Sequence, residues 1–306
     1  MNKVEPAFKE NIVPVVFTSS SYYVPYLAVS MKSIIDTADQ KFNYDIIVLH
    51  KEISEEAMSK MRQMTDAPNI SIRFVKVDEV MDGYQYNYRE GYSSESFYRV
   101  VMVEVLEKYE RVVYLDCDVI VKESISGLIT KYDISEYCVA AANDIDGMAS
   151  SICDHENRKS YMLGFMGLKR LEDYFQSGVM VFNLKKIRET YSIEQILKVA
   201  CASEIMYGDQ DVLNVLFHDK VLYLDMSWNV IIDSSGSHIQ TLLLLAPTRI
   251  VDEYFEARKH PYIIHYAGRK PWNEPDTEWA EEYWKVARTV PFYEEILKRW
   301  EVNELG

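Results

Sequence analysis

Residues 111–121 read Arg-Val-Val-Tyr-Leu-Asp-Cys-Asp-Val-Ile-Val. The apolar run Val112 to Leu115 is rich in β-branched and aromatic side chains, which predicts a buried strand rather than the start of a helix. It ends on two aspartates, Asp116 and Asp118. Side chains alternate along a strand, so the two carboxylates share a face and Cys117 points away. In an open α/β sheet, ligands bind beyond the carboxyl ends of the strands. Two carboxylates there suit a hard divalent cation that carries substrate phosphates. Spacing alone does not decide the matter, because roughly one Asp-x-Asp is expected by chance in a chain of this composition. This chain has three: 116/118, Asp144/Asp146 and Asp209/Asp211. Their surroundings must choose among them.

The 306 residues allow one large α/β domain or two small ones, and a hydrophobic content of 48% supplies a sizeable core. A net charge of −15 argues against nucleic acid as a partner, whose phosphates demand a basic face. It is equally awkward for a nucleotide substrate unless a cation supplies positive charge, which favours a carboxylate-held metal. Cys117, Cys138, Cys153 and Cys201 form no C-x-x-C pair, so they read as free thiols of a cytoplasmic protein. The start of the chain has no long apolar leader, and Leu242 to Ala246 is far too short to span a membrane. Pro291 to Gly306 sets Lys298 and Arg299 against four glutamates, so it is no polybasic anchor. Contact with a membrane would be peripheral at most, at its inner face.

Pro14 to Thr18 reads as a first strand, with Pro14 fitting only at its start. Pro25 to Ile35 reads as a helix, Asp45 to Leu49 as a strand, and Ser54 as the N-cap of a helix running to about Met64. Ile70 to Val77 is a third strand. This β-α-β-α-β succession predicts a parallel sheet with right-handed crossovers, and no Gly-rich dinucleotide fingerprint follows the first strand. Residues 81–94 are rich in Tyr and Gly, which fits either a mobile lid or a hairpin with tyrosines on one side. Glu95 to Tyr109 is a helix with Arg99 in its first turn, against the dipole preference. Tyr137 to Ala142 is a strand, 146–173 a partly helical excursion, and Val179 to Leu184 another strand. Gly178 stands at that strand's start, where glycine lets a ligand approach the backbone. Gly208 precedes a helix that starts at Asp209-Gln210-Asp211, so this third pair has a structural explanation as a cap. Tyr262 to His265 is a last short strand, followed by a loop containing Gly268 and Lys270. A His nitrogen can join two carboxylates as a metal ligand, and Lys is a usual phosphate partner. Glu278 to Ala287 and Pro291 to Trp300 read as two short helices packed on the domain through Trp279, Trp284 and Trp300.

Taken together, several ordered stretches resemble glycosyltransferase family 8, the retaining nucleotide-sugar transferases that include glycogenin and bacterial lipopolysaccharide galactosyl- and glucosyltransferases. They are Phe17 to Tyr23 with Tyr26-Leu27 and Lys32-Ser33; Tyr114 to Asp118; Phe175 to Asn183 with Leu184-Lys185-Lys186; Asp209-Gln210-Asp211 with Asn214; Trp228-Asn229; and His265 to Trp272. The resemblance implies a GT-A fold, a mostly parallel Rossmann-like sheet flanked by helices over residues 1–272, with a helical extension over 273–306. It implies a divalent metal, manganese or else magnesium, held by Asp116, Asp118 and His265, and a UDP-sugar donor. By position, Tyr23 would stack on uracil while Thr18 and Ser20 line the nucleoside pocket. Arg99, Asp144 and Asp209 would bind the transferred sugar, and Gln210 would lie near its anomeric carbon. Cys117, Gln176 and Ser177 belong to the same donor site, and Gly268 and Lys270 would hold the diphosphate. The Tyr-rich segment matches the family's mobile loop. Ser20 and Tyr22 stand where some members have Asp and Asn, and the loop from His265 to Lys270 is one residue short.

What this implies is a metal-dependent retaining transfer of glucose or galactose to a hydroxyl of a saccharide or glycolipid acceptor, such as a lipopolysaccharide or other surface glycan. Gln210 is a poor nucleophile, so attack on the leaving-group face is expected rather than a covalent sugar on the protein. Two alternatives use the same residues. A haloacid-dehalogenase-like phosphohydrolase also places Asp-x-Asp at a strand's end, although normally on the first strand and before Gly-Thr. A nucleotide-sugar binding protein without catalysis would keep the pocket alone.

Overall fold

The computed structural model describes residues 4–77, 94–153, 157–232 and 238–304. The Tyr-rich segment falls almost wholly outside them. In chain order the elements are β1 (Ile12–Ser19), α1 (Val24–Asp36), β2 (Asn43–His50), α2 (Glu55–Arg62), β3 (Ile70–Lys76), α3 (Tyr98–Val105), β4 (Arg111–Leu115), β5 (Val119–Val121), α4 (Ser126–Thr130) and β6 (Val139–Asn143). They continue with α5 (Ile145–Ile152), α6 (Arg158–Gly164), β7 (Phe175–Asn183), α7 (Leu184–Thr190), α8 (Ile193–Ala200), α9 (Asp209–Phe217), β8 (Val221–Tyr223) and β9 (Val230–Ile231). The last are α10 (His238–Leu245), α11 (Thr248–Lys259), β10 (Ile263–His265), α12 (Ala280–Ala287) and α13 (Tyr293–Glu304).

Seven strands form the main sheet in the order β3-β2-β1-β4-β7-β6-β8. Neighbours are parallel except β7, which runs antiparallel to both β4 and β6. The central strands are apolar runs because helices cover both faces and leave no solvent side to alternate with. In β1 every residue from Val13 to Ser19 is buried. Pro14 sits within β1, paired opposite Asp45 of β2, but before Val15 and Val16 pair with β4. The missing N–H therefore costs no bond to β4. Ser54 caps α2 as expected, its hydroxyl accepting from Ala57 N. The C-terminal helices close over α1: Tyr283, Ala287, Phe292 and Ile296 join the same core as β1 and β2.

Three elements depart from the sequence reading. The expected helix from Glu95 is a 3-10 turn, Ser94–Phe97, before α3 begins at Tyr98. The strand expected from Val179 begins four residues earlier, at Phe175, so Gly178 lies inside β7. Most consequentially, 111–121 is two strands. β4 ends at Leu115, and after Asp116-Cys117-Asp118 the chain enters β5, in a separate three-stranded sheet ordered β5-β10-β9. The two aspartates share a site because they occupy the crossing between sheets, not because a single strand alternates. Two α1 serines staple that crossing. Ser30 donates to Cys117 O at 2.8 Å and accepts from Val119 N, while Ser33 accepts from Val121 N at 2.9 Å.

Candidate active site

A cavity of about 460 Å³ opens beyond the carboxyl ends of β1 and β4, at the crossing. Of the residues expected in the site, Thr18, Ser20, Tyr23, Arg99, Asp116, Cys117, Asp118, Asp144, Gln176, Ser177, Asp209, Gln210 and His265 all line it. Gly268 and Lys270 do not. Gly268 is exposed on the loop after β10, and the Lys270 amine turns back onto Asp118 Oδ2 and the carbonyls of Tyr266 and Ala267.

The structure chooses among the three Asp-x-Asp pairs. Asp116, Asp118 and His265 present ligand atoms that lie within 4.8 Å of one another. Backbone pairing brings them there. Asp116 N donates to Gly178 O on β7, and His265 pairs with Val119 across β5 and β10. His265 Nε2 is 3.2 Å from Asp118 Oδ1 and 3.9 Å from Asp116 Oδ2. Its other nitrogen, Nδ1, lies 2.9 Å from Asn229 Oδ1, while Asn229 Nδ2 donates to Gln176 Oε1 at 2.6 Å. With the amide so oriented, Nδ1 carries the proton and Nε2 turns a lone pair toward the carboxylates. The buried Asp118 Oδ1 then has no hydrogen-bond donor. Two carboxylates and an imidazole lone pair facing one point, one oxygen of them orphaned, fit a divalent cation. Gly178 completes the cradle: a Cβ there would stand 2.3 Å from His265 Cε1 and 2.6 Å from Asp116 Oδ2. The glycine serves the approach of these two ligands to β7, at mid-strand. Burial alone would raise the Asp118 carboxyl, but the Lys270 amine beside it pulls it below the usual carboxylate range.

The other two pairs do different work. Asp144 caps α5, accepting from Gly147 N at 2.8 Å. Asp209 pairs with Arg99 Nε at 2.6 Å. Asp211 is more than a helix cap, being fully buried and accepting from the Tyr161 and Tyr174 hydroxyls and from Tyr207 N. Arg99 is a hub of the site, donating to Ser177 O at 2.7 Å and Asp116 Oδ1 at 2.9 Å, with its guanidinium over the Tyr114 ring. Burial opposes its charge, but Asp116 and Asp209 hold it above the usual range. Gln210 is held at both ends: Oε1 accepts from Ser177 N at 2.9 Å, and Nε2 donates to Asp144 Oδ2 at 2.6 Å. Burial raises the Asp144 carboxyl, partly opposed by Arg158.

The sequence reading gave no role to Tyr114, Asn229, Arg158 or Tyr207. The Trp228-Asn229 stretch is visible as a motif, but that Asn229 orients the His265 ring shows only in the fold. Arg158 lies in a polar excursion without periodicity, where a lone Arg carries no signal.

The sequence model described as "Glycosyl transferase family 8" matches residues 14–276. The chain belongs to glycosyl transferase family 8. That membership leaves no place for the phosphohydrolase alternative: this is a glycosyltransferase. Among curated relatives of this family 8 chain, General stress protein A of Bacillus subtilis is 26% identical, over 87% of this chain and 89% of its own length. Among solved structures, the WbbM bifunctional glycosyltransferase aligns with a TM-score of 0.87 and 27% identity, over 97% of this chain but only 53% of its own. The galactosyltransferase LgtC, solved with donor and acceptor sugar analogs, aligns with a TM-score of 0.71 and 25% identity, over 91% of this chain and 96% of its own. The family 8 fold is therefore GT-A. Among the described residues, no helix is long and apolar enough to cross a membrane.

Proposed function

We propose that the protein is a metal-dependent retaining hexosyltransferase that moves glucose or galactose from a UDP-sugar to a hydroxyl of a saccharide acceptor, such as a lipopolysaccharide or another surface glycan. The observation that carries this reading is the cluster of Asp116, Asp118 and His265, with the imidazole tautomer set by Asn229. Manganese or magnesium bound there would neutralise the diphosphate and stabilise the charge that grows on it as the sugar leaves. The likeness to LgtC supports a hexose donor. We read residues 1–272 as the catalytic unit and 273–306 as an extension of it.

The chain's own residues divide the remaining work. Tyr23, kept protonated by burial, offers a ring face to the base, beside Thr18 and Ser20. Lys270, held on Asp118 Oδ2, would serve a phosphate as a point charge. The reacting carbon would sit near Gln210, whose amide cannot act as a carboxylate nucleophile. Asp209 is committed to Arg99, and Asp144 to Gln210 and Gly147. This supports attack on the leaving-group face, with the departing phosphate taking the acceptor's proton.

The test is thermal melting with UDP. UDP should raise the melting temperature when manganese or magnesium is present and not in excess chelator. Asp118→Asn should abolish the metal-dependent part. Equal stabilisation by UDP in chelator would refute a metal-bridged donor site.

A further inference from the structure

Arg158 begins α6 and reaches the cavity wall beside Asp144. Its side chain is nine-tenths buried, yet among the described residues it makes no ion pair or hydrogen bond, and its Nε is buried without a partner. Its guanidinium lies instead between two aromatic faces, 4.0 Å from the ring centre of Tyr207 and 5.4 Å from that of Tyr174. Asp211 fixes both walls, accepting from the Tyr174 hydroxyl and from Tyr207 N. The helix α9 that delivers Asp209 and Gln210 to the cavity thus also builds the slot for Arg158 from behind. Burying a cation is costly unless it is paired and hydrogen-bonded, and ring faces offset only part of that cost. A slot built to hold an unsatisfied guanidinium at a cavity wall leaves its donors for a ligand.

Gly147 shows how close this donor is to an acceptor. A Cβ on Gly147 would stand 2.9 Å from Asp144 Oδ2 and 3.0 Å from Arg158 Nη2. Asp144 Oδ2 and Arg158 Nη2 therefore lie less than about 6 Å apart, close enough for one oxygen between them to hydrogen-bond to both. Glu95, Asp116, Asp118, Asp144, Asp146 and Asp209 line the same cavity, so an anion here would meet repulsion. A hydroxyl can donate to Asp144 and accept from Arg158 at once, and bonds to charged groups are the stronger ones.

We propose that Arg158 is a specificity-determining residue, which with Asp144 brackets one hydroxyl of the transferred hexose in the space that Gly147 leaves open. This rests on reading the cavity as a UDP-hexose site. The test is titration calorimetry with manganese, using UDP, UDP-glucose, UDP-galactose, their monodeoxy analogues and UDP-glucuronic acid. Removing the bracketed hydroxyl should weaken wild-type binding about tenfold to a hundredfold. Arg158→Met should weaken the intact donor by a similar factor, leave UDP unchanged, and no longer distinguish that deoxy donor. Gly147→Ala, which fills the gap from another element, should copy this pattern and serves if the Arg158 variant does not fold. The proposal is overturned if Arg158→Met weakens UDP as much as UDP-hexose, or if discrimination against every deoxy donor persists in the variants. A wild-type preference for the glucuronic donor that is lost with Arg158 would overturn it too. If wild type fails to bind UDP at all, the nucleotide-sugar reading has fallen first, and that shows in the same titration before any hexose is added.

Discussion

Gly178→Ala is the sharpest single perturbation the structure offers. The new Cβ would be 2.3 Å from His265 Cε1, 2.6 Å from Asp116 Oδ2 and 3.0 Å from Gln176 Oε1. Carbon atoms in contact sit about 3.5–4.0 Å apart, so the imidazole must move by roughly 1 Å. β7 cannot yield in its place, because it is laddered to β4 on one side and β6 on the other. Nor can His265 turn freely, since its Nδ1 is tied to Asn229 and Asn229 to Gln176. Overpacking of this kind costs about 1–3 kcal/mol of stability, a fall of a few degrees in melting temperature. The effect on the metal should be larger, since disturbing even the outer partners of a ligand loses about 10–100-fold in affinity. Manganese titration in the presence of UDP, with circular dichroism as the check on folding, would measure both. Gly164→Ala is the control, because a Cβ there meets nothing within 4 Å. If Gly178→Ala folds and binds manganese as tightly as wild type, then His265 and Asp116 do not form the metal site.

Two further predictions concern the cavity wall formed by Asp144 and Gln210. Burial raises the folded-state Asp144 carboxyl above its unfolded value, so its ionised form costs stability above that raised pKa, and the cost vanishes as pH falls below the unfolded value. In melts without ligand, Asp144→Asn should therefore be at least as stable as wild type at pH 7.5, with any advantage shrinking toward pH 4; an advantage that grows on acidification would refute the assignment. Gln210→Ala should slow transfer without abolishing it, and proton NMR of the product of an α-linked donor should show the α anomer for wild type and variant. A β product would overturn same-face retention, and a covalent sugar on the wild-type chain, seen by intact mass, would overturn the mechanism.

What could be read from the sequence, and what could not, divides by range. β1 and β2 announced themselves as apolar runs because each is buried on both faces, the edge strand β3 by its alternation of Ile70, Ile72 and Phe74 with polar residues, and the Ser54 cap is a local bond between neighbours. Asp116, Asp118 and His265 were legible as a family pattern. The break between β4 and β5 was not, because Val119, Ile120 and Val121 continue the same β-branched composition into a different sheet. Nothing local marks that change of partner; it is set by β10, far along the chain. Gly178 was noticed but read as room for a ligand, since only the register opposite Asp116 shows what crowds it. The slot around Arg158 depends on Tyr174, Tyr207 and Asp211, whose meeting is a tertiary event without a short-range signature.

The crossing between the two sheets bears on how the protein comes to life on the ribosome. Asp116 and Asp118 emerge early, yet β5 has no partner strand until β10 is made, and Lys270 is 152 residues beyond Asp118. A nascent chain can lay down β1 to β4 around its apolar core and still lack the histidine, the amine and the strand that fix the second aspartate. Until then Asp116 has Arg99 to offset its charge, but Asp118 has neither His265 nor Lys270 beside it. The cluster of Asp116, Asp118 and His265 is complete only when β10, the last-made strand of the small sheet, is in place.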